Sequence, residues 1–494
     1  VGLRDKAIRG MGWSVLSQGS KVVITLVASS VLAHLLEPSD FGLIGMVIVF
    51  SNLIGLLNDM GLPSALIQRK DAGEPYASSA FWINLSEGLV LTALFAAIAP
   101  AIALFFRESR LLAISLALSP LFLLTSLGMI QAALLQKRLH FKALAIVDVA
   151  SIIIGGATAI GLALAGAGAW SLVAQGLASA ASFSLLMFFA VDWKPALIFS
   201  WQSTRELLGY GLPLMGSSFV NYFNRNLDNM LIGKFLGGEQ LGYYSLAYKL
   251  LLFPLQNVSS TLGRVMFPAL ALIQEDHAKV RDAYLKATRY IAAVTFPMMA
   301  GLALTAPQFV RVVFGPQWER SIFLVQVLAS VGLIQSIGTT VGWIYMSQGR
   351  TDTMLKWSSF ALVVISSSFA IGLLWKVEGV AVSYVVASTI LIYPSFAIPF
   401  RFIDLKFTTF IRNLGRITAC TAIMAASALA SGKLLELKVG GGDTVRLFTM
   451  LATGIAIYGC SLFFLEQEIV KELAKLTISL LGKDRHTKES EVSR

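Results

Sequence analysis

Two cysteines, four histidines and 14% charged residues are little for a chain of 494 residues. Soluble domains carry about 25% charged residues, so the shortage of charge alone points away from a water-soluble protein. Cys420 and Cys460 both sit in apolar stretches and suggest neither a disulfide nor a metal site. The histidines are scattered without ligand spacing. Walker A, GxSxG, HExxH and CxxC patterns are all missing, which argues against ATPase, hydrolase and thiol-redox chemistry. Long polar segments between the apolar runs are missing too, so no soluble domain of useful size fits between them.

What fills the chain is hydrocarbon. Hydrophobic residues make up 56% of it, and mean hydropathy is +0.73. About fourteen apolar runs are long enough to cross a bilayer, centred near Val23, Val49, Ala93, Leu118, Ile154, Ala180, Phe219, Gln256, Ala293, Val331, Val364, Ile390, Ala422 and Ile455. Unpaired backbone groups are not tolerated in lipid, and these runs are too long for barrel strands. An all-α polytopic protein is expected.

Lysine and arginine set the orientation. With the N-terminus inside, the cytoplasmic side collects Arg4, Lys6 and Arg9, then Arg69 and Lys70, Lys137, Arg138 and Lys142, and continues so to the basic tail after Glu468. The opposite turns, such as EPSD at 37–40 and AGAGA at 165–169, hold few or none. This is a positive-inside distribution with both termini cytoplasmic. The net charge of +11 is therefore a topology signal, and nucleic acid is not implied as a partner. The basic N-terminus has no small-residue cleavage site after its apolar run, so that run is read as a retained first helix. In the tail, Ile469, Leu473, Leu476 and Leu480 recur at helical spacing among lysines, as in a helix lying on the inner membrane surface.

The chain also repeats. VLAHLLEPSDFGLIGM from Val31 aligns without a gap on LIGKFLGGEQLGYYSL from Leu231. ATAIGLALAGAGAWSLV from Ala157 aligns on SFAIGLLWKVEGVAVSYV from Ser368. Two matches in the same order, each offset by about 200 residues, imply two homologous six-helix halves. The expected organisation is an N-lobe over 1–200, a C-lobe over 201–405, an extra helix pair over 406–466 and a cytoplasmic tail over 467–494.

Several side chains contradict the apolar setting. On a helix, Asn221, Asn224, Arg225 and Asp228 fall within roughly 100° of one another. The first helix carries a matching stripe of Ser17, Gln18, Lys21 and Thr25, and the eighth carries Lys249 and Gln256, with Arg264 near its inner end. Arg289 lies on the ninth, and Glu87, Asn84 and Asp148 are the acidic and amide groups set against these cations. A charge at mid-bilayer costs about 2.5–3.5 kcal/mol even on the lenient insertion scale, so these groups must face a wet cavity or pair with one another. Arginine and lysine hold phosphate, and Asn and Gln answer sugar hydroxyls. Interhelical bonding is the bland alternative for the amides, snorkelling for Arg264 and Arg289, and mutual neutralisation for Arg225 with Asp228. Glu87, about two turns into its span, is the candidate ion-coupling carboxylate. Tyr243 and Tyr244 open the eighth helix, where they are either sugar-stacking faces or an interfacial belt.

The segments LRDKAIRGMGWS, LAHLLEPSDFGL, DMGLPSALIQRK, NRNLDNMLIGKFLGGEQLGYYSLAYKL and VVFGPQWERSIFLVQVLA, in that order, carry a resemblance. Over nearly its whole length the chain resembles the polysaccharide-transporter branch of the MOP exporter superfamily, the Wzx-type flippases, and among them the colanic-acid-exporter kind. The resemblance implies a bacterial inner-membrane flippase for undecaprenyl-pyrophosphate-linked oligosaccharides, with two lobes around a cationic cavity and alternating access. It implies no catalysis and no cofactor beyond a possible H⁺ or Na⁺ gradient. Membrane lipids, a polysaccharide polymerase and a chain-length regulator are the implied partners. A lipid II flippase is the chemically nearest alternative. A multidrug cation antiporter fits less well because cations outnumber acids at membrane depth. A polymerase or ligase would carry a long periplasmic loop, which is missing here.

Overall fold

The computed structural model describes residues 3–55, 62–68, 73–138, 140–200, 222, 226–254, 266, 269–439 and 442–467. Among the described residues every regular element is helical, as backbone buried in lipid requires. The helices are α1 (Leu3–Leu35), α2 (Pro38–Gly55), α3 (Leu62–Gln68), α4 (Glu74–Phe106), α5 (Arg110–Leu118), α6 (Leu121–Lys137), α7 (Phe141–Leu164) and α8 (Ala169–Ala190). They continue with α9, described over 226–236, and α10 (Gly238–Pro254). Then come α11 (His277–Val313), α12 (Ser321–Gly338), α13 (Val341–Ser347), α14 (Thr351–Gly372), α15 (Lys376–Phe400), α16 (Phe407–Val439) and α17 (Asp443–Leu465).

Eleven described segments are long and apolar enough to cross a membrane. One of them, Asp352–Ile403, holds both α14 and α15, so twelve of the expected spans fall among the described residues. The two remaining expected spans, near Phe219 and Gln256, centre on residues outside the described set. The all-α polytopic expectation is borne out.

Local chemistry sets the element ends. Pro38 opens α2 and Pro75 stands in the first turn of α4, where a missing N–H costs nothing. The turn between α7 and α8 uses Gly166 (φ +80°) and Gly168 (φ +55°), conformations that side chains with a Cβ rarely adopt. At Ser119–Pro120 the span Arg110–Lys137 breaks into α5 and α6, because proline offers no N–H to the preceding turn. Asp276 caps α11 by accepting from the Lys279 N–H at 3.1 Å.

The chain forms two compact units, Val1–Ser245 and Leu246–Arg494. In the first, α7 packs against both α1 and α8, and α4 packs on α5 and α6. After α8 the chain runs back along α4, where Ser78 and Ser79 accept the backbone N–H groups of Ala196 and Ser200 at 3.1 and 2.8 Å. The two turns that the internal repeat pairs meet here reciprocally. A Cβ on Gly42 would lie 1.7 Å from the Gly238 carbonyl oxygen, and one on Gly242 would lie 2.0 Å from that of Pro38. Only glycine allows backbone to approach backbone so closely.

In the second unit α11 packs on α12, α16 and α17, and α14 on α15. Its core is aromatic: Phe410 lies 5.0 Å from Phe396 and 5.1 Å from Phe400, ring centre to centre, and Tyr284 lies 5.8 Å from Phe400. Such edge and tilted contacts add to what area burial already contributes. Gly379 on α15 repeats the close approach, since a Cβ there would lie 2.2 Å from the Gly372 carbonyl oxygen.

Candidate functional site

The polar stripe of α1 faces α7. Lys21 forms a salt bridge with Asp148 of α7, and the two side chains are 27% and 22% exposed. The pair neutralises a cation and an anion that neither helix resolves within itself. Both side chains remain partly exposed. One turn before Lys21, Ser17 is 6% exposed, and its hydroxyl has no hydrogen-bond partner among the described residues. Gln18 beside it is exposed, and Thr25 is half-buried. The stripe thus offers an ammonium, a hydroxyl and an amide along one edge of α1.

Asp228 of α9 lies in the same unit and is buried. Its carboxylate accepts from the Tyr244 hydroxyl at 2.8 Å and from the Asn229 N–H at 2.8 Å. Tyr222 donates to the Val49 carbonyl oxygen, and Asn226 donates to the Tyr222 carbonyl oxygen at 3.0 Å. Asn226 is therefore engaged by nearby backbone. Tyr243 donates to Glu239 at 3.2 Å. Both tyrosines are buried, which corrects the expectation of an interfacial belt or a sugar platform: the polar tip of Tyr244 is needed by Asp228.

On α4, Asn84 is fully buried and donates to the Ser126 carbonyl oxygen at 3.3 Å, while its own oxygen has no partner among the described residues. Glu87, one turn on, is 7% exposed. Gln131 of α6 is also fully buried, with both amide atoms unpartnered among the described residues. Buried polar atoms left unmet are costly, and Asn84 and Gln131 both carry them among the described residues.

In the second unit Arg289 pairs with Glu466, whose side chain is 1% exposed. This places Arg289 between α11 and the end of α17. Lys249 is exposed on α10. Asn221, Asn224, Arg225, Gln256 and Arg264 lie outside the described residues. A cavity of about 760 Å³ along α14 and α15 is walled by Val363, Ile371, Trp375, Val382 and Ile390. Its walls suit hydrocarbon and offer no cation for phosphate. Among the described residues no three His, Cys, Asp or Glu side chains gather as metal ligands.

Sequence reasoning missed three polar side chains. Glu466 reads only as the last residue of the extra helix pair, Gln131 is one amide in an apolar run, and Lys234 stands in the apolar stretch IGKFL. Lys234 in fact donates to the Phe105 carbonyl oxygen at the end of α4 and sits 4.3 Å from the Phe105 ring centre. A lysine there complements the negative end of the helix dipole.

Fold and site together define a polytopic α-helical membrane protein with an ionic stripe inside its first unit. The chain belongs to the polysaccharide biosynthesis protein family, whose signature matches residues 31–323. It is similar to the lipopolysaccharide biosynthesis protein WzxC of Escherichia coli (strain K12), with 29% identity over 374 residues, 75% of this chain and 76% of that one. Its fold matches that of the lipid II flippase MurJ in an inward closed conformation, with a TM-score of 0.71 and 15% identity over 93% of this chain and all of that one. An inward-facing multidrug resistance MATE family transporter of the MOP superfamily matches with a TM-score of 0.64 and 16% identity, over 78% of this chain and 94% of that one. The resemblance to polysaccharide biosynthesis proteins is borne out at the level of that family.

Proposed function

We propose that this chain is a flippase that moves undecaprenyl-pyrophosphate-linked oligosaccharide repeat units from the cytoplasmic to the periplasmic leaflet of the bacterial inner membrane, for exopolysaccharide, capsule or O-antigen assembly. Membership of the polysaccharide biosynthesis family supports the cargo class. The observation that carries the mechanism is the Lys21–Asp148 pair, about a quarter exposed, within helices long enough to span the membrane. An ammonium that can be reached inside a polytopic fold suits the one strongly charged part of such a cargo, its pyrophosphate. The neighbouring hydroxyl and amide of Ser17 and Gln18 suit sugar or phosphate oxygens, and the prenyl chain stays in lipid. Translocation makes and breaks no covalent bond, so no enzymatic step is assigned. The termini are cytoplasmic, following the lysine and arginine distribution. Transport couples to H⁺ or Na⁺ through Glu87, and a polymerase and a chain-length regulator act on the delivered units.

The test is deletion followed by lipid analysis. Cells lacking the chain should lose surface polymer and accumulate prenyl-linked repeat units that an enzyme confined to the periplasm cannot reach. Restored chain should reverse both. The MurJ-like fold favours one other cargo, lipid II. Rescue of cells depleted of their lipid II flippase, without any effect on surface polymer, would replace the first reading by the second.

A further inference from the structure

We infer that Asp148 is a built-in occupant of the phosphate position: it holds Lys21 between cargoes and yields it when a phosphate arrives. The inference rests on the assignment of Lys21 to the cargo pyrophosphate, and three observations support it.

Exposure comes first. The two cations are similarly exposed, Lys21 at 27% and Arg289 at 21%, but their carboxylates differ: Asp148 is 22% exposed and Glu466 only 1%. A carboxylate packed in like Glu466 cannot move aside. Asp148, at the surface of its pair between α1 and α7, has room to give way to a competing anion. Chemistry is second. A carboxylate and a phosphate both offer anionic oxygens to an ammonium, so they compete for the same donor, and the pyrophosphate brings more charge and more acceptors. Third, Ser17 lies four residues before Lys21 on the same helical face, is 6% exposed and has a hydroxyl without a partner among the described residues. Asp148 leaves that donor unmet. An anion with further oxygens would meet it.

The consequence concerns turnover. Once phosphate takes Lys21, Asp148 is left beside a second anion, and like charges in a partly buried site repel. The bound state is thereby loosened, and re-pairing of Lys21 with Asp148 helps expel the phosphate. Asp148 lowers affinity so that the cargo can leave.

The experiment uses the full chain in lipid nanodiscs, with farnesyl pyrophosphate as probe and farnesol as its uncharged control. Asp148→Asn should bind the pyrophosphate about tenfold more tightly, release it more slowly and yet export less polymer. Lys21→Ala should bind it more weakly than wild type. A structural brace would not tighten binding when cut. In wild type, labelling of Asp148 by a hydrophobic carbodiimide should rise when the pyrophosphate binds, because the carboxyl is released from Lys21. This second measurement decides the matter if Asp148→Asn does not accumulate. Equal or weaker binding by Asp148→Asn, or labelling that stays flat, overturns the role of Asp148 while leaving Lys21 as the phosphate ligand. Equal binding by wild type and Lys21→Ala overturns the parent assignment, and this inference with it.

Discussion

Replacing Gly42 by alanine tests the reciprocal contact of the two repeated turns. The new Cβ would stand 1.7 Å from the Gly238 carbonyl oxygen, so the two turns must separate by more than an ångström to reach ordinary contact. A clashing side chain could rotate away, but a backbone carbonyl cannot without bending its helix. The expected cost is therefore at the upper end of overpacking, about 3 kcal/mol, against a helix-propensity gain of about 1 kcal/mol. Gly242→Ala, at 2.0 Å from the Pro38 carbonyl oxygen, should behave alike. Because either substitution prises open the same contact, the double variant should cost little more than one alone. Gly161→Ala is the control: nothing lies within 4 Å of its added Cβ, and it should be neutral or mildly stabilising. Thermal unfolding of the detergent-solubilised protein, followed by size exclusion, reads all four. Gly42→Ala as harmless as Gly161→Ala, or strictly additive losses in the double variant, would refute the reasoning.

Two further predictions come from charges. Arg289→Ala strands the buried Glu466 carboxylate and should destabilise the protein by about 3 kcal/mol, whereas Arg289→Ala with Glu466→Ala together should recover most of it; thermal melts of the three proteins decide. Asp276 is held below the usual carboxylate range, first by the Lys279 backbone N–H and then by the Lys279 side chain. A depressed folded-state pKa contributes stability above the unfolded value that is lost as pH falls through the folded one, so Asp276→Ala should matter at neutral pH and cease to matter in acid. Melting temperatures of wild type and Asp276→Ala, compared from neutral pH down into the acid range, check the sign.

How much of this was legible before any coordinates depends on the range of the interaction. Membrane spans are read from about twenty consecutive residues, and helices form at every such run centred within the described residues. Close backbone approach beside the repeated turns is local too, since Gly42 and Gly242 stand in the opening turns of α2 and α10. Pairings across the chain are different. Lys21 and Asp148 are 127 residues apart, and Arg289 and Glu466 are 177 apart. Helical periodicity gives the face of each residue but not which other face it meets. Asp148 could be marked as an acid set against the cations, but not as the partner of Lys21. Tyr244 shows the same limit, because a tyrosine at a helix start suits an interface equally well until a buried Asp228 claims its hydroxyl.

Glu87 brings these threads to one decision. It is 7% exposed, one turn from fully buried Asn84, on the stretch of α4 that meets α6 so closely that a Cβ on Gly88 would lie 2.3 Å from the Ser126 hydroxyl. A tight helix contact is a poor place for a carboxylate kept only for structure, since a neutral amide of the same shape costs less to bury. Glu87→Gln should therefore leave the protein as stable as wild type or more so, and, on the proposed assignment of Lys21, binding of a prenyl pyrophosphate should not change. If Glu87 carries the driving proton, the same substitution should nevertheless stop flipping in vesicles under an imposed pH gradient, because the amide cannot take up and release a proton. Stability retained with flipping lost is the signature of coupling; stability lost would mark Glu87 as a buried structural group. Unchanged flipping across the gradient would remove Glu87 from the mechanism and leave a Na⁺-driven or uncoupled carrier.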